Sequence, residues 1–593
     1  MNNTIQLFGL TSAFGGIVGF DEQTHTTINS QTLKAEYYAV LAPFKFFPHQ
    51  AFLLYPQDNC RFDFVSSDNN TKAIAVQLIQ NPHGVAIQRS GWSLFLRAHP
   101  NEHVDFEAQD MNEWEWFSTF PTANNIPAYL EALLNIKELD HKTIYSWIKL
   151  FSPSMVKDYI EASIRILSNE EYINFCSVLK KDIDFLHDLR VCFPEDPWFT
   201  DGIPALLNWK SDRTPTRLKR LTAADDKLAT TDLGESQPGP LGFDIAAEFR
   251  RDIAPRKNIC IVATARNEAL LTIDWIGWHL SMGVDHFFLY TNDNNDGSDA
   301  LLEALSRHDF ITWIDSNPTG CIPQRKSYAH ALSILPDTLD YKWSIVIDLD
   351  ELVILNHNKF SNLRDFLQLH EYSGQKAVAL NWVMMAPSGV NYERKHVWEK
   401  NLRREPAGNR CIKSIFQTRY FSFAHAHTAL WPKAHDITYA NADGQPIAME
   451  RNGATCALTF NENNAWIGHY FYRSFQEFCM KNARGRNSTF RADKSFKFRP
   501  SFFTDWLRYK NDEETLSETR ALLCLNKASD EAKRIRDLPG VREAETAAIS
   551  SFFEAYKSII ETAIPLISKE EIFNDEEKDY FVNIINASLQ NNL

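Results

Sequence analysis

The chain has 593 residues, a formal net charge of -15, and 44% hydrophobic and 23% charged residues. This length is too great for one core and predicts three or four domains of ordinary globular composition, while the negative balance argues against a nucleic-acid partner. The nine cysteines have no C-x-x-C spacing, the N-terminus lacks a signal-peptide pattern and no 18-residue apolar run occurs, so a cytoplasmic chain without disulfides, zinc or a transmembrane segment is expected.

Residues 1–121 alternate as short strands, with three similar stretches of about forty residues. IVGFDEQTHTTINS (17–30) closes in AEYYAVL, FLLYPQDNCRFDFVSS (52–67) in KAIAVQLI, and LFLRAHPNEHVDFEAQ (94–109) in NEWEWFSTF. The threefold pattern resembles β-trefoil domains of the fascin and lectin type, chiefly at the WEWF segment with Trp114 and Phe117. Another small β-barrel or sandwich is the alternative.

Residues 122–221 take a helical period and residues 222–256 read as a linker. An α/β unit follows over 257–500, and 501–593 is helical again. Within the α/β unit, NICIVATA (258–265), HFFLYTND (286–293), ITWIDS (311–316) and WSIVIDLDEL (343–352) read as strands separated by amphipathic helices, which predicts a parallel sheet. Helix caps are expected at Asp296 or Ser298.

In such sheets ligands lie over the carboxyl ends of the strands. Arg266, Glu268, Asn292, Asp293 and Asp348 would converge there. Asp348, Asp350 and Glu351 repel one another, so a cation should offset them, and a divalent metal carrying a phosphorylated ligand is the simplest. In extended structure Asp348 and Asp350 share one face. The plain alternative is a strand end followed by a solvated turn.

The ordered series ARNE, GVDHFFLYTNDNNDGSD, PQRKSYAHAL, IDLDEL, ALNW, CIKSIF, GHYFYRSFQEF and KNARGR resembles glycosyltransferases of the family 2-like and family 92 groups. That resemblance implies a GT-A fold with a Rossmann-like mixed sheet. It also implies inverting transfer of a sugar from a nucleotide-sugar donor to a glycan or other hydroxyl acceptor, with Mn²⁺ or Mg²⁺. By the same resemblance Asp348, Asp350 and His469 address the metal. Arg266, Glu268, Asn292, Asp293, Gln324, Lys326, Tyr328, Asp348, Lys413, Arg484 and Arg486 address the donor, and Asn381, Trp382 and His427 the acceptor. Thr291 and Ala329 depart from the pattern, which bears on contacts to the donor base.

An inverting transfer needs a carboxylate near the acceptor hydroxyl. Glu351 lies nearest the acidic motif, with Glu405 and Asp436 as alternatives. Two other readings compete. A haloacid-dehalogenase-type phosphatase also begins with D-x-D after a strand, but Leu352 and the three preceding βα units oppose it. A carbohydrate-binding protein with an inactive transferase unit is the other.

Overall fold

The computed structural model describes residues 5–21, 26–56, 71–90, 94–101, 103–122, 128–151, 153–209, 218–230, 240–431, 437–452, 454–484, 503–509 and 515–590. The chain forms two compact units, one built on residues 1–200 and one on residues 201–432 and 436–593.

In the first unit the strands are β1 (Phe8–Thr11), β2 (Ile17–Asp21), β3 (Thr26–Ser30), β4 (Val40–Pro43), β5 (Gln50–Pro56), β6 (Thr71–Asn81), β7 (Gly84–Arg89), β8 (Phe95–Ala98), β9 (Val104–Ala108) and β10 (Trp116–Pro121). Antiparallel pairing runs β1–β4–β5–β6–β7–β10 and returns from β10 to β1, so six strands close a ring. Hairpins β2–β3 and β8–β9 are appended to it. Most of the hairpin region expected in the second repeat lies outside the described residues. Alternating apolar positions, including Leu10, Leu41, Leu53, Val76, Ile87 and Phe117, fill the interior. Gly84 turns β6 into β7 at φ +135°, and a Cβ there would meet the Phe117 carbonyl oxygen at 2.4 Å. Trp114 does not lie in the closing strand as expected. It sits in the short 3₁₀ turn before β10 and is 39% exposed.

Helices Ala128–Leu134, His141–Leu150, Pro153–Ile166, Asn169–Lys181 and Ile183–Cys192 complete this unit. They pack on the strands, as Phe52 against Tyr159 at 5.3 Å shows. These helices thus belong to the same compact unit as the strands.

In the second unit, β11 (Leu218–Arg220), β12 (Lys257–Ala265), β13 (His286–Thr291), β14 (Ile311–Asp315) and β15 (Tyr341–Val346) are parallel, in the order β11–β14–β13–β12–β15. The sheet continues through Ile412–Gln417, β17 (Ala377–Met384), Ala465–His469 and β16 (Glu351–Leu355), where three of the four pairings are antiparallel. The strands β12 to β15 are parallel as their alternation with helices predicts, and the whole sheet is mixed, as the resemblance implies. Part of 222–256, expected as a linker, is structured, since Leu241–Arg250 is a buried helix.

The helix Ala269–Ser281 is buried over most of its surface. Two of its indoles donate to the start and middle of β16, Trp275 Nε1 to the Glu351 carbonyl at 3.0 Å and Trp278 Nε1 to that of Val353 at 2.9 Å. On its other side the C-terminal helix Leu525–Arg536 approaches so closely that a Cβ on Gly277 would lie 2.8 Å from the Ala532 nitrogen. Arg536 fixes that contact through Asp274 at 2.6 Å and Glu545 at 2.8 Å. Among the described residues, no helix is long and apolar enough to cross a membrane.

Candidate active site

The acidic motif does not continue β15 as an extended strand. β15 ends at Val346, and residues 348–351 form a turn in which the Glu351 N–H donates to the Asp348 carbonyl at 3.1 Å. Asp348 and Asp350 therefore do not share a strand face. The physical reason is that three clustered carboxylates need counter-charge, and the turn divides them between two cations. Lys413 Nζ lies 2.9 Å from Asp348 and 3.2 Å from Glu351. Asp350 Oδ2 instead meets the Lys481 ammonium, with His469 Nε2 at 3.2 Å.

These environments set the charges. Burial opposes ionisation of Asp350, yet Lys481 and His469 outweigh it and hold the carboxyl well below its usual range. Burial likewise opposes the charge on Lys413, but Asp348 and Glu351 keep it firmly protonated. Burial pushes Glu351 up to about 7 against the pull of Lys413. Glu351 is completely buried, accepts the Asp348 N–H at 3.1 Å, and leaves Oε1 without a hydrogen-bond partner. Glu351, expected as the catalytic base, lies buried under the turn beside Lys413. Of the alternatives, Glu405 accepts from the Tyr509 hydroxyl at 2.5 Å, and Asp436 lies outside the described residues.

Trp382 joins the groups around the turn. Its ring centroid lies 4.4 Å from that of His469 and 5.2 Å from that of His427, with Lys413 Nζ 6.0 Å from the indole centroid. The His427 Nδ1 is 2.9 Å from the Ile412 carbonyl, and burial beside Lys413 lowers its pKa to about 4, which keeps the ring neutral. Tyr328 is buried near Asp348 and Lys413, and burial raises its pKa. Gln324 lies beside it, 3.5 Å from its hydroxyl.

A second group stands over the ends of β12 and β13. Arg266 and Glu268 are buried, and Arg484 bridges the Arg266 carbonyl and the Glu268 carboxylate. Arg473 Nη1 lies 3.6 Å from Glu268 and 4.0 Å from Glu477. The two loops are knit together by Asn267 accepting from the Asn295 N–H at 2.8 Å, and by Asp296 accepting from the Ala269 N–H at 3.1 Å and the Ser298 N–H at 3.0 Å. Asp296 therefore serves two helix starts, whereas Ser298 makes no capping bond. Asn292 is buried with its amide 3.2 Å from Asp293. Asn267, Asp293 and Arg473 all hold left-handed backbone, at φ 53°, 51° and 51°, a strained state that gathers at ligand sites. Asn267, Glu268, Asp296, Arg473, Lys481 and Arg484 line one cavity, walled on its far side by the C-terminal helix Val541–Ile560.

Two sequence expectations fail on geometry. Lys326 is fully buried and donates to the Thr222 carbonyl at 2.8 Å and to Asp226 at 2.7 Å, so it anchors the 222–226 turn and does not address a diphosphate. Asn381 is buried too, donating to the Arg410 carbonyl at 3.0 Å and accepting from the Asn461 N–H at 3.0 Å, which removes it from acceptor binding. Arg486 lies outside the described residues. Lys481 and Arg473 were not singled out in the sequence. Both lie in segments that carry the resemblance, Lys481 in KNARGR and Arg473 in GHYFYRSFQEF, which is the signal that could have found them.

Asp350 and His469 are the described groups here that could hold a divalent cation. Asp350 already holds a cation, the Lys481 ammonium, and the 3.2 Å between Asp350 Oδ2 and His469 Nε2 is a spacing that two adjacent ligands of one ion adopt. Among the described residues no three His, Cys, Asp or Glu side chains converge, and Asp348 is turned to Lys413. A small hard cation bound by one or two protein ligands completes its shell with phosphate and water.

Residues 259–445 match the description of glycosyltransferase family 92. This stretch of the chain is similar to family 92 glycosyltransferases. A glycosyltransferase family 92 protein of Ricinus communis is 26% identical over 143 residues, covering 23% of this chain and 24% of the relative. The chain thus spans about a quarter of the length of the curated relative it matches. The crystal structure of S. aureus TarS residues 1–349 is 10% identical, covers 51% of this chain and 90% of its own, and has a TM-score of 0.20, too low to bear on fold or function. The family 92 match contains the acidic turn, Trp382, Lys413 and His427, while His469, Arg473, Lys481 and Arg484 lie beyond it.

Proposed function

We propose that this protein transfers a sugar from a nucleotide-sugar donor to a hydroxyl of a glycan acceptor, with inversion and with Mn²⁺ or Mg²⁺, on a GT-A fold. The observation that carries the reading is the joining of the acidic turn to a cation-lined cavity at the carboxyl ends of parallel strands. Donor cleavage builds negative charge on the leaving diphosphate, and preorganised cations lower that barrier. Lys481, Arg473 and Arg484 line the cavity where that charge would lie. Arg266, Asn292 and Asp293, at the ends of β12 and β13, face the nucleoside. A divalent ion on Asp350 and His469 would supply Lewis-acid stabilisation of the same leaving group. Trp382 and His427, neutral and aromatic, offer a face for a sugar ring.

For the first unit we propose a β-trefoil that holds a glycan acceptor, supported by the closed six-strand ring with its appended hairpins. Near β1 and β10 the partly exposed rings of Phe14 and Trp114 meet edge to face at 5.7 Å beside the His99–Asp105 pair, an aromatic and polar combination suited to saccharides.

The test is hydrolysis of UDP-, GDP- and CMP-sugars by the full chain with Mn²⁺ and no acceptor. Slow release of one nucleotide is expected. A folded chain that neither hydrolyses nor binds any of the three classes overturns the reading.

A further inference from the structure

The Lys481 ammonium rests on Asp350, the carboxylate that faces His469, and it also lines the cavity shared with Arg473 and Arg484. Its side chain is 14% exposed, and the Phe471 ring lies beneath the ammonium at 4.1 Å from the centroid. A buried carboxylate without a counter-charge is strongly destabilising, so a cation must stay on Asp350 at all times. Asp350 Oδ2 is the atom that Lys481 holds, and it is also the atom nearest His469 Nε2. A divalent ion bound between Asp350 and His469 would compete with the ammonium for that oxygen.

We propose that Lys481 is a resident counter-ion that a divalent cation displaces from Asp350, and that the released ammonium then meets the diphosphate of the donor; this rests on the transferase reading above. The displaced charge needs a new anion. The carboxylates lining the cavity are already engaged, Glu268 with Arg484 and Arg473, Glu477 with Lys400 at 2.9 Å and with Arg473, and Asp296 with the Ala269 and Ser298 N–H groups. The anion left for Lys481 is the ligand's own. Metal and diphosphate are then linked through one side chain: the metal frees the lysine that the diphosphate uses, and the diphosphate keeps that lysine away from the metal site. Such coupling is reciprocal and commonly amounts to factors of about 5 to 150.

The experiment measures Mn²⁺ binding to the full chain by electron paramagnetic resonance, without nucleotide, for wild type, Lys481→Met and Lys481→Arg. Removing the competing charge should tighten Mn²⁺ binding about tenfold in Lys481→Met, and Lys481→Arg should stay near wild type. Calorimetry with UDP at saturating Mn²⁺ should show the opposite order, with Lys481→Met at least about tenfold weaker than wild type. Should Lys481→Met fail to fold, Lys481→Gln makes the same comparison. Mn²⁺ affinity that is unchanged or weaker in the folded, uncharged variant overturns the inference, as does absence of Mn²⁺ binding in every form. If wild type binds UDP with Mn²⁺ but its metal affinity ignores residue 481, only the inference falls; if it binds no nucleotide, the transferase reading falls with it.

Discussion

Lys413 Nζ lies 2.9 Å from Asp348 Oδ2, and the lysine is 1% exposed at the centre of the sheet. The same ammonium lies 3.2 Å from Glu351, itself completely buried. One cation thus holds both ends of the 348–351 turn. Replacing Lys413 by Met would leave Glu351 buried without its counter-charge. The expected loss is about 3 to 5 kcal/mol, the usual cost of breaking a buried pair from one side. Urea unfolding of Lys413→Met beside Lys413→Met/Glu351→Gln checks this, because the second change should restore much of the stability.

Asp350→Asn should abolish Mn²⁺-dependent nucleotide binding and leave the fold intact. Asn matches Asp in size but lacks the charge a hard cation requires. Calorimetry with UDP and Mn²⁺, together with circular dichroism, reads both parts. Near-wild-type binding at ordinary Mn²⁺ concentration would show that Asp350 holds no metal.

Lys326→Met should destabilise the second unit and spare donor affinity in the protein that remains folded. Its three acceptors, the Thr222 and Asn317 carbonyls and Asp226, are structural, and the expected loss is about 3 kcal/mol. Thermal melting and UDP titration separate the two effects. A tenfold weaker donor at unchanged melting temperature would return Lys326 to the binding site.

Acid should weaken the second unit before its carboxylates titrate. Burial lowers the pKa of His279 and of His286 from 6.5 to about 3. The folded state therefore keeps both rings neutral while the unfolded chain protonates them. Their contribution is fully present above pH 6.5 and is lost as pH falls toward 3. At pH 5 each costs about 2 kcal/mol relative to pH 7. Urea unfolding at both pH values should show that dependence shrinking by about this amount in His279→Gln.

A protein beginning at Asp201 should retain slow donor hydrolysis, because the acidic turn, the cations and the cavity all belong to the second unit. The cut belongs at residue 201 and not near 121, since helices from Ala128 to Cys192 pack on the strands of the first unit. Affinity for a long glycan acceptor should fall on removal, as loss of a tether lowers local acceptor concentration. A folded, monodisperse shortened protein that hydrolyses no donor accepted by the full chain would show that the first unit contributes to the reaction.

Strand and helix order in the second unit could be read directly from the sequence, because buried parallel strands are continuous apolar runs and the segments between them keep a helical period. NICIVATA, HFFLYT and ITWID are strands as expected, and Arg266, Glu268 and Asn292 stand at their ends. The acidic motif was also legible as a place where charge had to be offset. What offsets it was not. Lys413 is 65 residues from Asp348 and Lys481 is 131 from Asp350. No local period records such pairings. Only the strand Ile412–Gln417, threaded between β15 and β17, and the helix Phe475–Arg484, which follows the strand Ala465–His469, bring those lysines to the turn. The roles of Lys326, Asn381 and Glu351 likewise depended on the tertiary structure, because a polar residue in a motif looks the same whether it faces ligand or a buried carbonyl. Residue type therefore determined which chemistry was present, and long-range packing decided which groups were free to perform it.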